Sequence, residues 1–242
     1  MLAAGAAAAL NGAGPAIPLS SVRLLPPLPR PGRILCIGLN YLPHILETGR
    51  PRPAYPSIFT RDPASVVGHG APLVQPRASR RFDYEGELAL IIGKPGRHIA
   101  PADAWGHVAG YACFNDGSIR DYQNHTPQYW PGKNFEASGA FGPWIVTADA
   151  AGDITAQHLT TRIDGTVMQH TPIADLAFGI PDLIAYASTV TTLRPGDVIA
   201  TGTPGGVGTH RKPPVYLEPG MTVEVEITGI GTLVNGVIDE PT

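Results

Sequence analysis

The chain has 242 residues, 43% of them hydrophobic and only 15% charged, which is enough apolar material for one large domain or two small ones. A formal net charge of −3, with no dense Lys/Arg run, excludes the electrostatic footprint of a nucleic-acid binder and of a polybasic membrane patch. Small-molecule chemistry in a soluble globular protein is the expectation that remains.

In chain order, the opening MLAAGAAAALNGAG is apolar but lacks a basic n-region and is too short to span a bilayer. Residues 1–30 are read as a loose N-terminal arm. Residues 31–242, which no linker-like stretch interrupts, are read as one domain. Short apolar or β-branched runs bounded by Gly, Pro or Asn predict strands at 33–39, 57–60, 85–93, 108–114, 144–147, 161–164, 197–201 and 222–228. The firmest helix begins near Pro181, where Leu183, Ile184, Ala187 and Val190 share one helical face. Shorter helical turns are predicted at 43–48 and 118–123. With 29 Gly and 26 Pro punctuating the apolar runs instead of forming tracts, the expected fold is mixed and β-rich with a few short helices. Cys36 and Cys113 lie in or beside apolar runs, so neither a disulfide frame nor a cysteine zinc site is expected, and a reducing cytoplasmic setting fits.

The segment FDYEGELALIIGK sets Glu85 and Glu87 two positions apart, where an extended chain aims both at one face. Like charges that close need solvent, a shared proton or a cation. The ordinary answer is solvent, on the exposed side of an edge strand. Asp116, in CFNDGSIRDYQ, follows an apolar strand; if it joins the pair, three hard carboxylates without Cys or adjacent His suit Mg²⁺, Mn²⁺ or Ca²⁺. In NYLPHILETG, His44 and Glu47 stand three apart, so one helical turn would let the carboxylate orient the imidazole, although such pairs are also common by chance. Lys133 and Arg120 suit an enolate oxygen and a substrate carboxylate respectively; the plainer readings are a surface lysine and an Asp116–Arg120 pair on a helical turn. The glycine-rich ATGTPGGVG lacks the spacing and the lysine of a phosphate loop.

The series IGLNYLPHILETG, PSIFTRDPASVVGHG, FDYEGELALIIGK, FNDGSIRDYQ, GKNFEASGAFGPWIVT, LRPGDVIATGTPGGVG and VEVEITGIGTLVNGV resembles, in order, the catalytic domain of the fumarylacetoacetate hydrolase (FAH) family from about residue 33 to the C-terminus. The resemblance implies an FAH-type β-sandwich roll, usually seen as a homodimer. It also implies Mg²⁺ or Mn²⁺ held by Glu85, Glu87 and Asp116, and a small oxo-acid substrate. It gives His44 the role of general base and Glu47 that of its orienter, places Lys133, Arg120 and Gln123 at the site, and makes Thr203 a donor to substrate. The activity it suggests first is hydrolysis of a C–C bond in an acylpyruvate such as fumarylpyruvate, in aromatic catabolism. Isomerisation or decarboxylation of hydroxymuconate-type dienoates, decarboxylation of oxaloacetate and plain metal or ligand binding are the alternatives. Gly117, Glu136, Ala140 and Met221 depart from the family pattern, and Gly117 is expected to enlarge the pocket beside the metal.

Overall fold

The computed structural model describes residues 17–49 and 51–242; residues 1–16 of the expected arm lie outside them. The elements in chain order are β1 (Ile34–Gly38), α1 (Leu42–Glu47), β2 (Ser57–Arg61), β3 (Val66–Val67), β4 (Leu73–Gln75), β5 (Phe82–Asp83), β6 (Gly86–Ile92), β7 (Val108–Asn115) and β8 (Ser118–Ile119). They continue with α2 (Arg120–Gln123), α3 (Trp130–Lys133), β9 (Gly139–Thr147), α4 (Ala148–Ala151), β10 (His158–Ile163) and β11 (Thr166–Pro172), then α5 (Ile180–Val190), β12 (Val198–Ala200), β13 (Thr222–Ile227) and β14 (Gly231–Asp239). Among the described residues no helix is long and apolar enough to cross a membrane.

A seven-stranded mixed sheet, ordered β2-β1-β12-β6-β7-β9-β3, packs on a five-stranded sheet ordered β11-β10-β13-β14-β4, and β5 and β8 form a small ribbon at one end. Alternation explains the sandwich. In β6, Leu88, Leu90 and Ile92 face the five-stranded sheet and meet residues such as Val223, Val225 and Leu233, while Ala89 and Ile91 join Cys36, Phe114 and Val198 on the opposite face. Both faces of β6 are therefore covered, and every residue in it is buried. The five-stranded sheet has a wetter outer face: in β13, Val223, Val225 and Ile227 point inward, while Glu224 and Glu226 stay partly exposed. Leu28 packs against the outer cluster of the large sheet, so the described end of the expected arm touches the core.

All eight predicted strands exist, most of them within two residues of their expected ends. The strand expected at 144–147 is the end of the longer β9, whose first half, GAFGP, reads as a breaker. Six further strands among the described residues were not foreseen. Of these, β14 is interrupted in sequence by Asn235 and Gly236, and β11 follows the Asp164–Gly165 turn, whose two residues adopt the positive φ of a tight hairpin. Ser118 and Ile119 belong to a strand, not to the predicted helical turn, because β8 pairs with β5 through Phe82 and Asp83. In α5 the buried stripe runs Ile180, Leu183, Ile184, Ala187 and Ser188. Val190, expected on that face, is the last helical residue and is 68% exposed.

Candidate active site

Glu85 and Glu87 do not face water. They lie at the start of a central strand, only 5% and 1% exposed, which corrects the edge-strand reading. The pairing of Gly86 with Asn115 sets the end of β7 alongside, and the Asp116 amide donates to the Glu85 carbonyl at 2.8 Å. The strand alternation and this one backbone bond bring one oxygen from each of Glu85, Glu87 and Asp116 within 4.8 Å of one another.

Cations surround the cluster. Lys133 Nζ lies 2.6 Å from Glu85 Oε2 and 2.7 Å from Asp116 Oδ2, Arg120 Nη1 is 2.6 Å from Glu85 Oε1, and Arg61 Nη1 is 2.7 Å from Asp116 Oδ1. Burial raises the Glu85 carboxyl, but the Lys133 and Arg120 charges outweigh it and hold its pKa down at about 2. Burial likewise pulls Lys133 down, and Asp116 and Glu85 overcome it, so the ammonium stays charged. Glu87 differs: it receives the Gly202 amide at 2.9 Å and forms no ion pair among the described residues. Burial, then the charges of Asp116 and Glu85, push its pKa well above the ordinary glutamate value.

This donor set fits a divalent cation. Hard dications take carboxylate oxygens at ~2.0–2.6 Å, so two oxygens on one ion stand no more than about 5 Å apart, which the cluster satisfies. The buried charges leave Glu87 as the group that lacks a counter-ion. The three carboxylates would hold the ion, and a bound divalent cation would polarise an oxo group lying against it.

Glu85, Glu87 and Lys133 line a cleft of about 220 Å³, together with His44, Gln123 and Thr203. Helix α1 places His44 and Glu47 on one face, with His44 Nδ1 3.1 Å from Glu47 Oε2. Glu47 also accepts the Gly206 amide at 3.1 Å. Burial raises Glu47, but the bonds from His44 and Gly206 win and leave it below the usual value. A carboxylate only accepts, so Nδ1 carries the proton and Nε2 is the basic nitrogen. Of the three carboxylates that would hold the ion, Asp116 is fully buried and does not line the cleft, and neither does Glu47, the partner of the His44 imidazole. The glycine loop after β12 cradles carboxylates instead of phosphate, through the amides of Gly202 and Gly206.

Three expectations change. Arg120 does not pair with Asp116: it bridges Asp83, 2.7 Å from its Nε, and Glu85, and holds Gln123 Oε1 at 3.0 Å. Among the described residues its buried Nη2 has no partner, a donor left over for an anionic ligand in the cleft it lines. Thr203 lines the cleft, but its hydroxyl is committed, donating to Gly86 O at 2.9 Å and accepting from Gln169 at 2.8 Å. Gly117 does not widen the pocket, because a Cβ there would land on the Ser138 carbonyl oxygen and press on the Phe82 ring. Gly117→Ala is accordingly expected to cost about 1–3 kcal/mol of stability through overpacking, read as a lowered Tm, without changing which substrates are accepted.

Residues 33–238 match the family described as Fumarylacetoacetate (FAA) hydrolase C-terminal. The chain belongs to the fumarylacetoacetate hydrolase family. Among the family's curated members, oxaloacetate tautomerase FAHD2A, mitochondrial, of Homo sapiens is 41% identical over 226 residues, covering 93% of this chain and 72% of that protein. The solved 5-carboxymethyl-2-hydroxymuconate delta-isomerase from Mycobacterium smegmatis superposes with a TM-score of 0.82 at 37% identity, covering 95% of this chain and 87% of that one. Maleylpyruvate hydrolase from Sphingobium sp. SYK-6, solved with manganese (II) ion and pyruvate, gives a TM-score of 0.82 at 33% identity, covering 99% and 82%. The expected β-rich FAH fold is the fold observed. The three proteins carry three different activities, so family membership alone leaves the reaction open.

Two buried residues that hold the site together were not singled out from sequence. Arg61 binds Asp116, the Gly117 carbonyl and the Ser138 hydroxyl. Asp83 binds Arg120 and the amides of Gly208 and Thr209. Arg61→Leu leaves Asp116 Oδ1 unpaired in the interior, and a loss of about 3–5 kcal/mol is expected in thermal or urea denaturation of the metal-free protein.

Proposed function

We propose that this chain is a divalent-metal-dependent enzyme acting on a short 2-oxo dicarboxylic acid, and that its reaction is keto–enol tautomerisation of oxaloacetate. The observation that carries this reading is the cleft: a base, an ammonium and two carboxylates of the buried cluster line about 220 Å³. Pockets for drug-sized ligands measure ~300–1,000 Å³, so this smaller cleft suits a four-carbon di-acid better than a long acylpyruvate. The relative named as an oxaloacetate tautomerase supports the same substrate.

The chain's own residues divide the work. Arg120, with its spare Nη2, and Gln123 hold a carboxylate of the substrate. His44 Nε2 takes the proton from the carbon next to the oxo group, and Glu47 stabilises the imidazolium that results. The Lys133 ammonium, kept charged by Asp116 and Glu85, offsets the negative charge that develops on the enolate oxygen. His44 then returns its proton to oxygen or to carbon, so no water is consumed.

Hydrolysis of an acylpyruvate is the second reading, favoured by the His44–Glu47 pair, which is equally suited to activating water, and by the likeness to a maleylpyruvate hydrolase. One preparation separates the two. With Mn²⁺ present, the ultraviolet absorbance of the oxaloacetate enol is expected to relax to equilibrium faster with protein than without. Pyruvate release from an acylpyruvate, with no acceleration of that relaxation, would replace the tautomerase reading by the hydrolase one.

A further inference from the structure

The short helical turn Gly208–His210 brings a second histidine to the cleft. The turn is braced from several sides. Asp83 accepts the amides of Gly208 and Thr209 at 2.8 and 2.9 Å, and the same carboxylate holds Arg120. A Cβ on Gly208 would strike the Val215 carbonyl, so the backbone is packed close at this point. Arg211, the next residue, is tied to the Tyr84 hydroxyl at 3.1 Å and to the Met168 carbonyl at 2.6 Å. His210 is therefore presented from a rigid support.

Its ring stands edge-on to that of His44, with centroids 6.2 Å apart. His210 lines the cleft yet is exposed, which puts it at the mouth, whereas Glu85 and Glu87 line the same cleft and are buried at its floor. Among the described residues neither ring nitrogen has a hydrogen-bond partner, in contrast to His44, which is tied to Glu47. Partial burial lowers its pKa below the ordinary histidine value, and His44 and Arg120 act in the same direction against Glu47 and Asp83. At neutral pH the ring is then an uncharged imidazole with one N–H to donate.

We propose that His210 is a specificity-determining residue: from the mouth of the cleft its N–H holds the second carboxylate of a dicarboxylic 2-oxo acid whose oxo-acid end rests against the carboxylate floor. The proposal rests on the short di-acid substrate inferred above and adds the residue that selects it. A mono-acid of the same length leaves the imidazole unengaged. The di-acid gains one hydrogen bond to a charged group, made on a partly wet surface.

Titration calorimetry on the Mn²⁺-loaded protein tests this with two probes of equal chain length, oxaloacetate and 2-oxobutanoate, which lacks the second carboxylate. Wild type is expected to bind oxaloacetate more tightly. His210→Ala and His210→Phe are expected to weaken oxaloacetate about tenfold, the scale of one hydrogen bond to a charged group at its lower end. Both variants leave 2-oxobutanoate and Mn²⁺ affinity unchanged, and His210→Gln, which keeps an N–H donor, recovers most of the loss. Equal affinity of the wild type for the two acids, no binding of oxaloacetate, or equal weakening of both acids in the variants overturns the proposal. A His210-dependent preference in a protein that fails to speed enolisation would sink the tautomerase reading alone. Enolisation with no such preference would sink this one alone.

Discussion

Glu87→Gln is expected to cost the protein its metal while flattening the pH dependence of the metal-free fold. In the metal-free state burial, then Asp116 and Glu85, raise the Glu87 carboxyl well above its ordinary pKa. The folded chain keeps this proton at pH values where the unfolded chain has lost it. The Glu87 contribution to stability is therefore fully present at or below the ordinary glutamate pKa and is lost as pH climbs toward the raised value. Glutamine is the same shape, cannot ionise and still accepts the Gly202 amide, so urea denaturation of stripped protein from about pH 5 to pH 8 should show a downward slope in wild type and a shallower one in the variant. Metal binding moves the other way. Loss of outer partners of a metal ligand already costs ~10–100-fold in affinity, so loss of a ligand oxygen is expected to weaken Mn²⁺ by at least about 100-fold and to abolish metal-dependent activity. Loading also displaces the Glu87 proton, so wild-type Mn²⁺ affinity rises with pH and the variant's does not. Unchanged Mn²⁺ binding in the variant would remove Glu87 from the ligand set.

His44→Ala separates chemistry from metal binding. The imidazole lines the cleft but does not belong to the carboxylate cluster, so Mn²⁺ affinity and Tm should stay close to wild type. The rate of enolisation is expected to fall by roughly 10²–10⁴-fold, the contribution of a positioned general base. Added imidazole should restore part of it, because a small base can enter the space the side chain vacates. Full activity in His44→Ala would show that another group moves the proton.

Much of the fold was legible because β6 and β7 carry long apolar runs and β13 alternates cleanly between apolar and polar residues. What stayed hidden followed from the same local logic. The first half of β9 and the middle of β14 carry Gly, Pro and Asn, which read as breakers, and they become strands only because neighbouring strands pair with them. At the site, the E-x-E pattern, the N-D step and the H-x-x-E spacing each carried a local signal, and the structure brings all five residues to one place. Arg61 and Asp83 carried none: Arg61 meets Asp116 across 55 residues of chain, and Asp83 meets Arg120 across 37. The expectations that the resemblance gave for Gly117 and Thr203 turned on residue type, whereas in the structure direction matters more. Glycine there makes room for a backbone carbonyl, and the threonine hydroxyl is occupied by Gly86 and Gln169.

The placement of Glu87 on a strand covered on both sides has a consequence for assembly. Slipping β6 by one residue against its neighbours would turn Glu87 toward Val223, Val225 and Leu233 and swing Leu88 in among Arg61, Lys133 and Asp116. A carboxyl group would then be stranded in hydrocarbon without a hydrogen-bond partner and a leucine set in a nest of charges, two errors from a single misstep. The acidic pair thereby proofreads strand alignment before any substrate arrives, and a variant that replaced both glutamates with leucine would give up that discrimination along with the reaction.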